Sequence, residues 1–118
     1  MHKEKVILGL TEQVTVMGKN GREFKVAARI DTGATSSSID SVLAASLELG
    51  PSTASRIIKS ALGIKKRPLV KIKVKMDGLI LEADFNVADR SHMTYALLIG
   101  QNILKKGNFL IDPNKVNA

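Results

Sequence analysis

The sequence predicts a mainly β fold with one or two short helices, and three observations support it. Segments in which apolar and polar residues alternate recur along the whole chain, as in half-buried strands. Turn-forming pairs such as Asn20-Gly21 and Asp77-Gly78 separate these segments at short intervals. Only two stretches, near residues 40–49 and 97–107, carry a helix-like apolar pattern, and both are short.

The first quarter of the chain predicts three strands. They are KVILGL at 5–10, QVTVM at 13–17 and EFKVAARI at 23–30. The sequence GKNG at 18–21 is a hairpin signal between the second and the third. The third strand therefore delivers Asp31 at its end.

The next segment predicts a loop and then a helix. Ser36, Ser37 and Ser38 are interpreted as loop and cap residues rather than nucleophiles, because no histidine or lysine base is implied nearby. Asp40 is the predicted N-cap of a helix through Leu49, with Gly50-Pro51 as its stop. Its predicted apolar side consists of Val42, Leu43 and Leu47.

The basic run KKRPLVKIKVK at 65–75 has a structural explanation. Apolar residues from Val70 to Met76 alternate with three lysines, and Asp77-Gly78 supplies a two-residue turn. This turn sets a register that we expect to pair Lys73 with Glu82, Lys71 with Asp84, Val74 with Leu81 and Val70 with Phe85. Much of the run is then a paired, solvated face rather than a phosphate-binding stripe.

The C-terminal part predicts one more strand, a short helix and a final strand. Leu97, Leu98 and Ile99 run into Gly100, and a helical turn follows up to Gly107. The segment NFLID at 108–112 is the predicted last strand.

Length and composition limit the possible functions. The 118 residues fit one domain, 1–118, and contain no cysteine, which excludes a disulfide framework and a thiolate metal site. No leader or membrane-spanning pattern is present, so we expect a cytoplasmic protein without a membrane partner. The net charge of +7 would suit a polyanion, but only four aromatic residues are available for base stacking. A nucleic-acid partner is therefore not favoured.

The stretch RIDTGATSSSID at 29–40 places one acid between a strand end and a Thr-Gly pair. Asp31 alone would suit an ordinary turn, but a second apolar-Gly element, LLIG, ends at Gly100. This pairing resembles the retropepsin-like aspartic peptidases, in which an apolar-Asp-Thr-Gly-Ala loop precedes an Ile-Gly element and a C-terminal helix. The resemblance implies a single-lobe acid-protease fold, a closed β-barrel or sandwich. It implies Asp31 as the catalytic residue, an active-site loop of Thr32, Gly33, Ala34 and Thr35, and loop support from Ile99 and Gly100.

The match is closer to one branch of that family, small prokaryotic proteins labelled ATP-dependent zinc proteases and associated with glutamate ligases. The similar stretches are ARIDTGATSSSID, SALGIKKRPLVKIKV, FNVADRSHMTYALLIG and FLIDP. Gln101 departs from the pattern, because the branch typically has Arg there to brace the loop. Two isolated histidines, His2 and His92, offer a poor zinc site, so we expect neither a metal nor another cofactor.

One catalytic acid per chain implies a homodimer. Metal-free peptide hydrolysis needs a carboxylate to activate water and a carboxylic acid to polarise the carbonyl group, and Asp31 cannot be both. Two copies would supply a dyad that shares one proton. Ala34 lacks a hydroxyl that could stabilise the ionised dyad, so we expect activity nearer neutral pH.

The resemblance also implies a flap between about Arg56 and Val74 that closes over a peptide or protein substrate, with Ala61, Leu62, Gly63 and Ile64 near its tip. The neighbouring Lys65, Lys66 and Arg67 would suit acidic, polyglutamate-like peptides, or they are merely solvated. Two alternatives stay open: a peptide-binding or dimerising module without turnover, and a basic nucleic-acid-binding β domain.

Overall fold

A computed structural model describes residues 4–50, 54–61 and 63–117 of the chain. The strands are β1 Ile7–Leu8, β2 Thr11–Met17, β3 Glu23–Ile30, β4 Ser37–Asp40, β5 Ala54–Ser60, β6 Gly63–Met76, β7 Leu79–Ala88, β8 Leu97–Ile99 and β9 Leu110–Ile111. The helices are α1 Ser41–Ser46 and α2 Gln101–Lys106. The predicted mainly β class with two short helices is confirmed.

Six strands form a closed barrel. Their order is β2-β3-β8-β4-β7-β6, and β6 pairs back onto β2 through Thr15–Lys75, Val16–Val74 and Met17–Lys73. Strand β5 pairs with the outer part of β6 and extends the sheet as a hairpin. Strands β1 and β9 form a separate parallel pair. The retropepsin-like barrel expected from the sequence is therefore present.

The predicted hairpins are confirmed together with their register. Asp77 and Gly78 both have positive φ angles, 45° and 84°, as the two central residues of a type I′ turn require. All four predicted pairs between β6 and β7 occur, including Lys73 with Glu82 and Val74 with Leu81. The segment around Asn20-Gly21 likewise connects β2 to β3.

The barrel interior is apolar because successive strand residues point to opposite faces. Alternate residues of β2 and β6, such as Val14, Val16 and Val74, are fully buried beside Phe85 of β7. Lys71, Lys73 and Lys75 lie on the exposed face of β6, as predicted. Lys73 lies opposite Glu82 and Lys71 opposite Asp84, as predicted, although both ion pairs within the described part of the chain involve Lys115.

The serine run differs from its prediction. Ser37 and Ser38 are buried in β4, between β7 and β8, instead of lying in a loop. Tertiary pairing on both sides of a strand outweighs the weak local preference of serine for turns. Asp40 does cap α1, because its Oδ2 accepts hydrogen bonds from the N–H groups of Val42 and Leu43.

Helix α1 ends earlier than predicted. It stops at Ser46, since Glu48 adopts a left-handed backbone (φ 55°) and Leu49 N–H donates to Ala44 O, which closes the helix end. Leu47 is buried as expected, whereas Val42 is exposed rather than on the apolar side. Pro51 of the predicted stop lies outside the described residues.

The described helices are each six residues long. Within residues 4–50, 54–61 and 63–117, no helix has the length and apolar character needed to cross a membrane.

Candidate active site

Asp31 lies directly after β3, where the chain leaves the barrel. Its N–H donates to Ile99 O at 2.9 Å, which completes the last pair, Ile30 with Ile99, of the parallel ladder between β3 and β8. Its carboxylate Oδ1 accepts the Gly33 N–H at 2.9 Å, and its carbonyl oxygen accepts the Ala34 N–H at 3.3 Å. These bonds fold residues 31–34 into a tight loop that fixes the carboxylate at the barrel rim, partly exposed.

The first residues of α2 and the glycine before it pack against this loop and form hydrogen bonds with it. A Cβ atom on Gly100 would lie only 2.2 Å from Ser36 O, so only glycine permits this close approach. The next residue, Gln101, donates its backbone N–H to Ala34 O at 2.7 Å. Its side-chain Nε2 donates to Thr32 O at 2.8 Å. Gln101 therefore bonds the loop at residues 31–34 at two points, at the position where the family that the sequence resembles has Arg.

A series of side-chain hydrogen bonds joins β4, α2 and β7 next to this loop. Ser37 Oγ accepts the Gly100 N–H at 2.9 Å and donates to Asn102 Oδ1 at 2.7 Å. Asn102 Nδ2 in turn donates to Asp84 O at 2.9 Å. Sequence reasoning missed Ser37 and Asn102, because they are 65 residues apart and no local pattern links them.

The guanidinium group of Arg90 interacts electrostatically with Asp31. Arg90 is half-buried: its Nε donates to Tyr95 O at 3.0 Å and its N–H to Asp40 Oδ1 at 2.8 Å. Burial lowers the pKa of Arg90 and the nearby Arg67 charge lowers it further, while the carboxylates of Asp40 and Asp31 act in the opposite direction. The two cations are thus close enough to repel each other.

Arg67 and Asn86 are further residues that the sequence did not mark as a pair. Arg67 donates to Asn86 Oδ1 at 3.1 Å, and Asn86 Nδ2 donates to Ser37 O at 2.9 Å. Asn86 is only 3% exposed. This link connects β6, β7 and β4 on the side of the barrel that carries Asp31.

The structure places the predicted site residues in two groups. Ile99 and Gly100 bond with the Asp31 loop or its flank, as the predicted loop support requires. Thr32, Gly33 and Thr35 are exposed beside Asp31, and Ala34 is partly buried. The predicted flap residues form the far end of the β5–β6 hairpin. There Ala61 is in the turn, Gly63 has φ 116°, and Ile64 is 67% exposed. Leu62 lies outside the described residues.

His92 is exposed next to Ser91, and His2 lies outside the described residues. In the described part of the chain, no three His, Asp or Glu side chains come together in a group that could hold a metal ion.

Solved structures with the same fold include viral proteases. The chain is 20% identical to Lpg0085, a protein of unknown function from Legionella pneumophila, over 96% of this chain and 97% of that one (TM-score 0.69). It is 18% identical to the EIAV protease complexed with the inhibitor HBY-793, over 92% and 91% of the two chains (TM-score 0.69). It is also 18% identical to the protease of simian foamy virus (mac), over 80% and 91% (TM-score 0.58). At these identities, the likeness establishes the fold.

No curated protein matches the sequence. A family model named RimB-like, described as the retropepsin-like aspartic endopeptidase RimB, matches residues 45–117. The matched segment contains the β5–β6 hairpin, the β6–β7 hairpin and the Ile99-Gly100 element, and it begins after the Asp31 loop. Because this match spans most of the chain, and the barrel is that of the viral proteases, the protein belongs to the RimB-like family of retropepsin-like aspartic peptidases.

Proposed function

We propose that the protein is an aspartic endopeptidase that works as a homodimer, in which the Asp31 residues of the two copies form one dyad that activates water for hydrolysis of a peptide bond. The observation that carries this proposal is the loop at residues 31–34. It holds a carboxylate at the barrel rim through backbone bonds to Gly33 and Ile99. Family membership and the viral-protease fold support the same chemistry.

The dimer follows from the chemistry of the reaction. One carboxylate activates water while a carboxylic acid polarises the substrate carbonyl, so two carboxyl groups are needed. When two such groups approach closely they share one proton, because like charges cannot both remain ionised there. The exposed Thr32 and Gly33 leave the loop open to a second copy. In this proposal the Thr32 hydroxyl joins the two loops, and Gly33 lets the substrate backbone approach.

The flap is the proposed cover of the substrate. The β5–β6 hairpin extends past the closed barrel and carries Ile57 and Ile64, 65% and 67% exposed. Such side chains would be covered if the hairpin closed over an extended peptide and bonded to it as an added strand. The basic residues Lys65, Lys66 and Arg67 beside the tip favour acidic peptides, polyglutamate-like sequences among them.

A peptide-binding module without turnover is the main rival. Gln101 is the residue that favours it, since an unsupported loop would lose catalytic geometry. The bonds from Gln101 to Thr32 and Ala34 instead support a loop that is held in place.

The test is cleavage of a mixed peptide library from pH 4 to 8. Wild type and Asp31→Asn are compared with and without an aspartic-peptidase inhibitor and a metal chelator, and the oligomeric state is measured in parallel. We expect a dimer whose cleavage is lost by a factor of at least about 10³ in Asp31→Asn, since the substitution removes both carboxyl groups of the dyad. Cleavage should be strongest near neutral pH and insensitive to the chelator.

The matched control is Asp84→Asn, which removes an exposed carboxylate on β7 and should leave cleavage unchanged. A wild-type dimer that is as inert as Asp31→Asn across this pH range would reject the peptidase proposal in favour of the binding module.

A further inference from the structure

The peptide group between Thr32 and Gly33 has a hydrogen bond at each end. Its N–H, which belongs to Gly33, donates to Asp31 Oδ1 at 2.9 Å. Its carbonyl oxygen, which belongs to Thr32, accepts the side-chain Nε2 of Gln101 at 2.8 Å. A peptide group is planar and rigid, so a bond that fixes its carbonyl oxygen also fixes the direction of its N–H. The amide of Gln101 and the carboxylate of Asp31 are therefore connected through this one group.

The Thr32-Gly33 peptide group depends on such a bond for its orientation. Gly33 has no side chain to restrict rotation of the backbone, and both residues are exposed, so packing restrains them little. The backbone bonds from Gln101 N–H to Ala34 O and from Ala34 N–H to Asp31 O hold the neighbouring peptide groups instead. Without the side-chain bond, the group is free to rotate, and the Gly33 N–H then turns from Asp31 towards water.

The side-chain bond also changes the strength of the Gly33 donor. Hydrogen bonds in series polarise one another, so a carbonyl oxygen that accepts a bond makes the N–H of the same peptide group a better donor. A bond from an N–H to a carboxylate is charge-assisted and holds the ionised group in one orientation. In the proposed dyad, the ionised Asp31 is the group that activates water, so its orientation affects the reaction directly.

We infer that Gln101 is a positioning residue whose side-chain amide aligns the Thr32-Gly33 peptide group, so that the Gly33 N–H holds the carboxylate of Asp31. This inference rests on the proposed function and adds a residue to the same site. It also explains why a neutral residue can stand where the family that the sequence resembles has Arg. The contact with Thr32 O needs an N–H donor of sufficient reach rather than a charge, and both side chains supply such donors.

Four variants separate the donor from the rest of the side chain. Gln101→Met keeps the length and the helix propensity of glutamine but has no donor, and the backbone bond to Ala34 O stays available. Gln101→Glu is a second variant without a donor and has nearly the same shape. Gln101→Arg returns a donor. The matched control is Gln13→Met, which makes the same substitution at the only other glutamine of the chain, on the exposed face of β2.

The first measurement is the NMR signal of the Gly33 amide, which reports the bond to Asp31 without any substrate. We expect its proton resonance to move upfield in Gln101→Met and Gln101→Glu, as for an amide that bonds to water. Its exchange with solvent should become about 3- to 10-fold faster, the effect of one lost hydrogen bond. Gln101→Arg should return both quantities towards their wild-type values, and Gln13→Met should change neither.

The second measurement is kcat and KM for a peptide that wild type cleaves. We expect kcat to fall by about 10- to 100-fold in the two variants without a donor, because a misplaced carboxylate is slow to activate water. KM should change by less than about 3-fold, since the affected group acts in the chemical step. Gln101→Arg should restore kcat to within about 3-fold of wild type.

The outcomes separate this inference from the proposed function. A Gly33 amide that is the same in Gln101→Met as in Gln13→Met overturns the positioning role, even if cleavage falls. A Gly33 amide that changes while kcat stays at the wild-type value overturns it as well. If wild type cleaves nothing, the proposed function fails. A Gly33 change that Gln101→Arg reverses then still supports the alignment of Asp31. Should Gln101→Met not fold, Gln101→Glu provides the same comparisons.

Discussion

Two charged clusters at opposite parts of the molecule are built in different ways. The terminal cluster, Lys115 with Glu12, Asp77 and Asn117, is closed: Lys115 Nζ lies 3.1 Å from Glu12 Oε2 and 3.3 Å from Asp77 Oδ2. Glu12 also accepts bonds from the Gly9 N–H at 2.6 Å and from Asn117 at 3.2 Å. The arginine cluster, Arg67 with Arg90, has two cations that act on each other electrostatically, and neither forms an ion pair within the described residues.

The difference shows that the fold supplies opposite charges to one cluster and, within its described part, none at ion-pair distance to the other. A buried charge is tolerated when its partners come from the fold, as for Glu12, which is 6% exposed. Lys115 also donates to Ile7 O at 2.7 Å, so it joins β1, β2 and the β6–β7 turn to the C-terminal segment. The arginine cluster is held by hydrogen bonds to Asn86, Asp40 and Tyr95, but neither of its cations has an ion-pair partner within the described residues. The fold therefore neutralises the charge of the terminal cluster and leaves the charge of the arginine cluster without a nearby carboxylate.

The largest effect on stability is expected from Lys115→Met. This change keeps most of the side-chain volume but leaves the Glu12 carboxylate buried without its cation. The free energy of unfolding should fall by about 2 kcal/mol, the usual cost of a buried charged group that loses a partner. Urea unfolding measures it. Lys71→Met, on an exposed face, is the control and should change stability by less than about 0.5 kcal/mol. Equal effects of the two changes would show that the terminal cluster does not stabilise the fold.

The second prediction concerns the pH dependence of the same cluster. Burial raises the pKa of Glu12, but the bonds from Gly9, Lys115 and Asn117 outweigh burial, so the pKa lies below its ordinary value of 4.5. The folded state therefore takes up this proton less readily than the unfolded state. The stabilisation is complete above pH 4.5 and is lost as the pH falls through the lower, folded-state pKa.

Glu12→Gln isolates this contribution from those of other carboxyl groups. The stability difference between wild type and Glu12→Gln, measured by urea unfolding at several pH values, should be constant from pH 5 to 7 and shrink towards pH 3. A difference that stays constant down to pH 3 would mean that Glu12 has no lowered pKa.

The sequence predicted elements governed by local rules far better than contacts between distant strands. The type I′ turn at Asp77-Gly78 fixes the β6–β7 register because a two-residue loop determines which residues of the two strands pair. The placement of Asp31 beside the Ile99-Gly100 element followed from a family pattern rather than from local physics. The burial of Ser38 and the bond between Arg67 and Asn86 had no such signal, because they depend on which strands become neighbours in the closed barrel. Gln101 shows the same limit: its amide reaches Thr32 O only because the fold brings α2 under the loop.

The smallest effect on stability is expected from Asp77→Asn. This substitution tests whether Glu12 or Asp77 is the main ion-pair partner of Lys115. Asp77 is the exposed partner, at 47%, and exposed ion pairs contribute at most about 1 kcal/mol and often nothing measurable. Asparagine tolerates the positive φ of this turn position as well as aspartate does, so the hairpin should persist. We expect a change below about 0.5 kcal/mol in urea unfolding at pH 7. If Asp77→Asn instead cost as much as Lys115→Met, the turn carboxylate rather than the buried Glu12 would be the main partner of Lys115. The terminal cluster would then be a surface contact, and its contrast with the arginine cluster would rest on geometry alone.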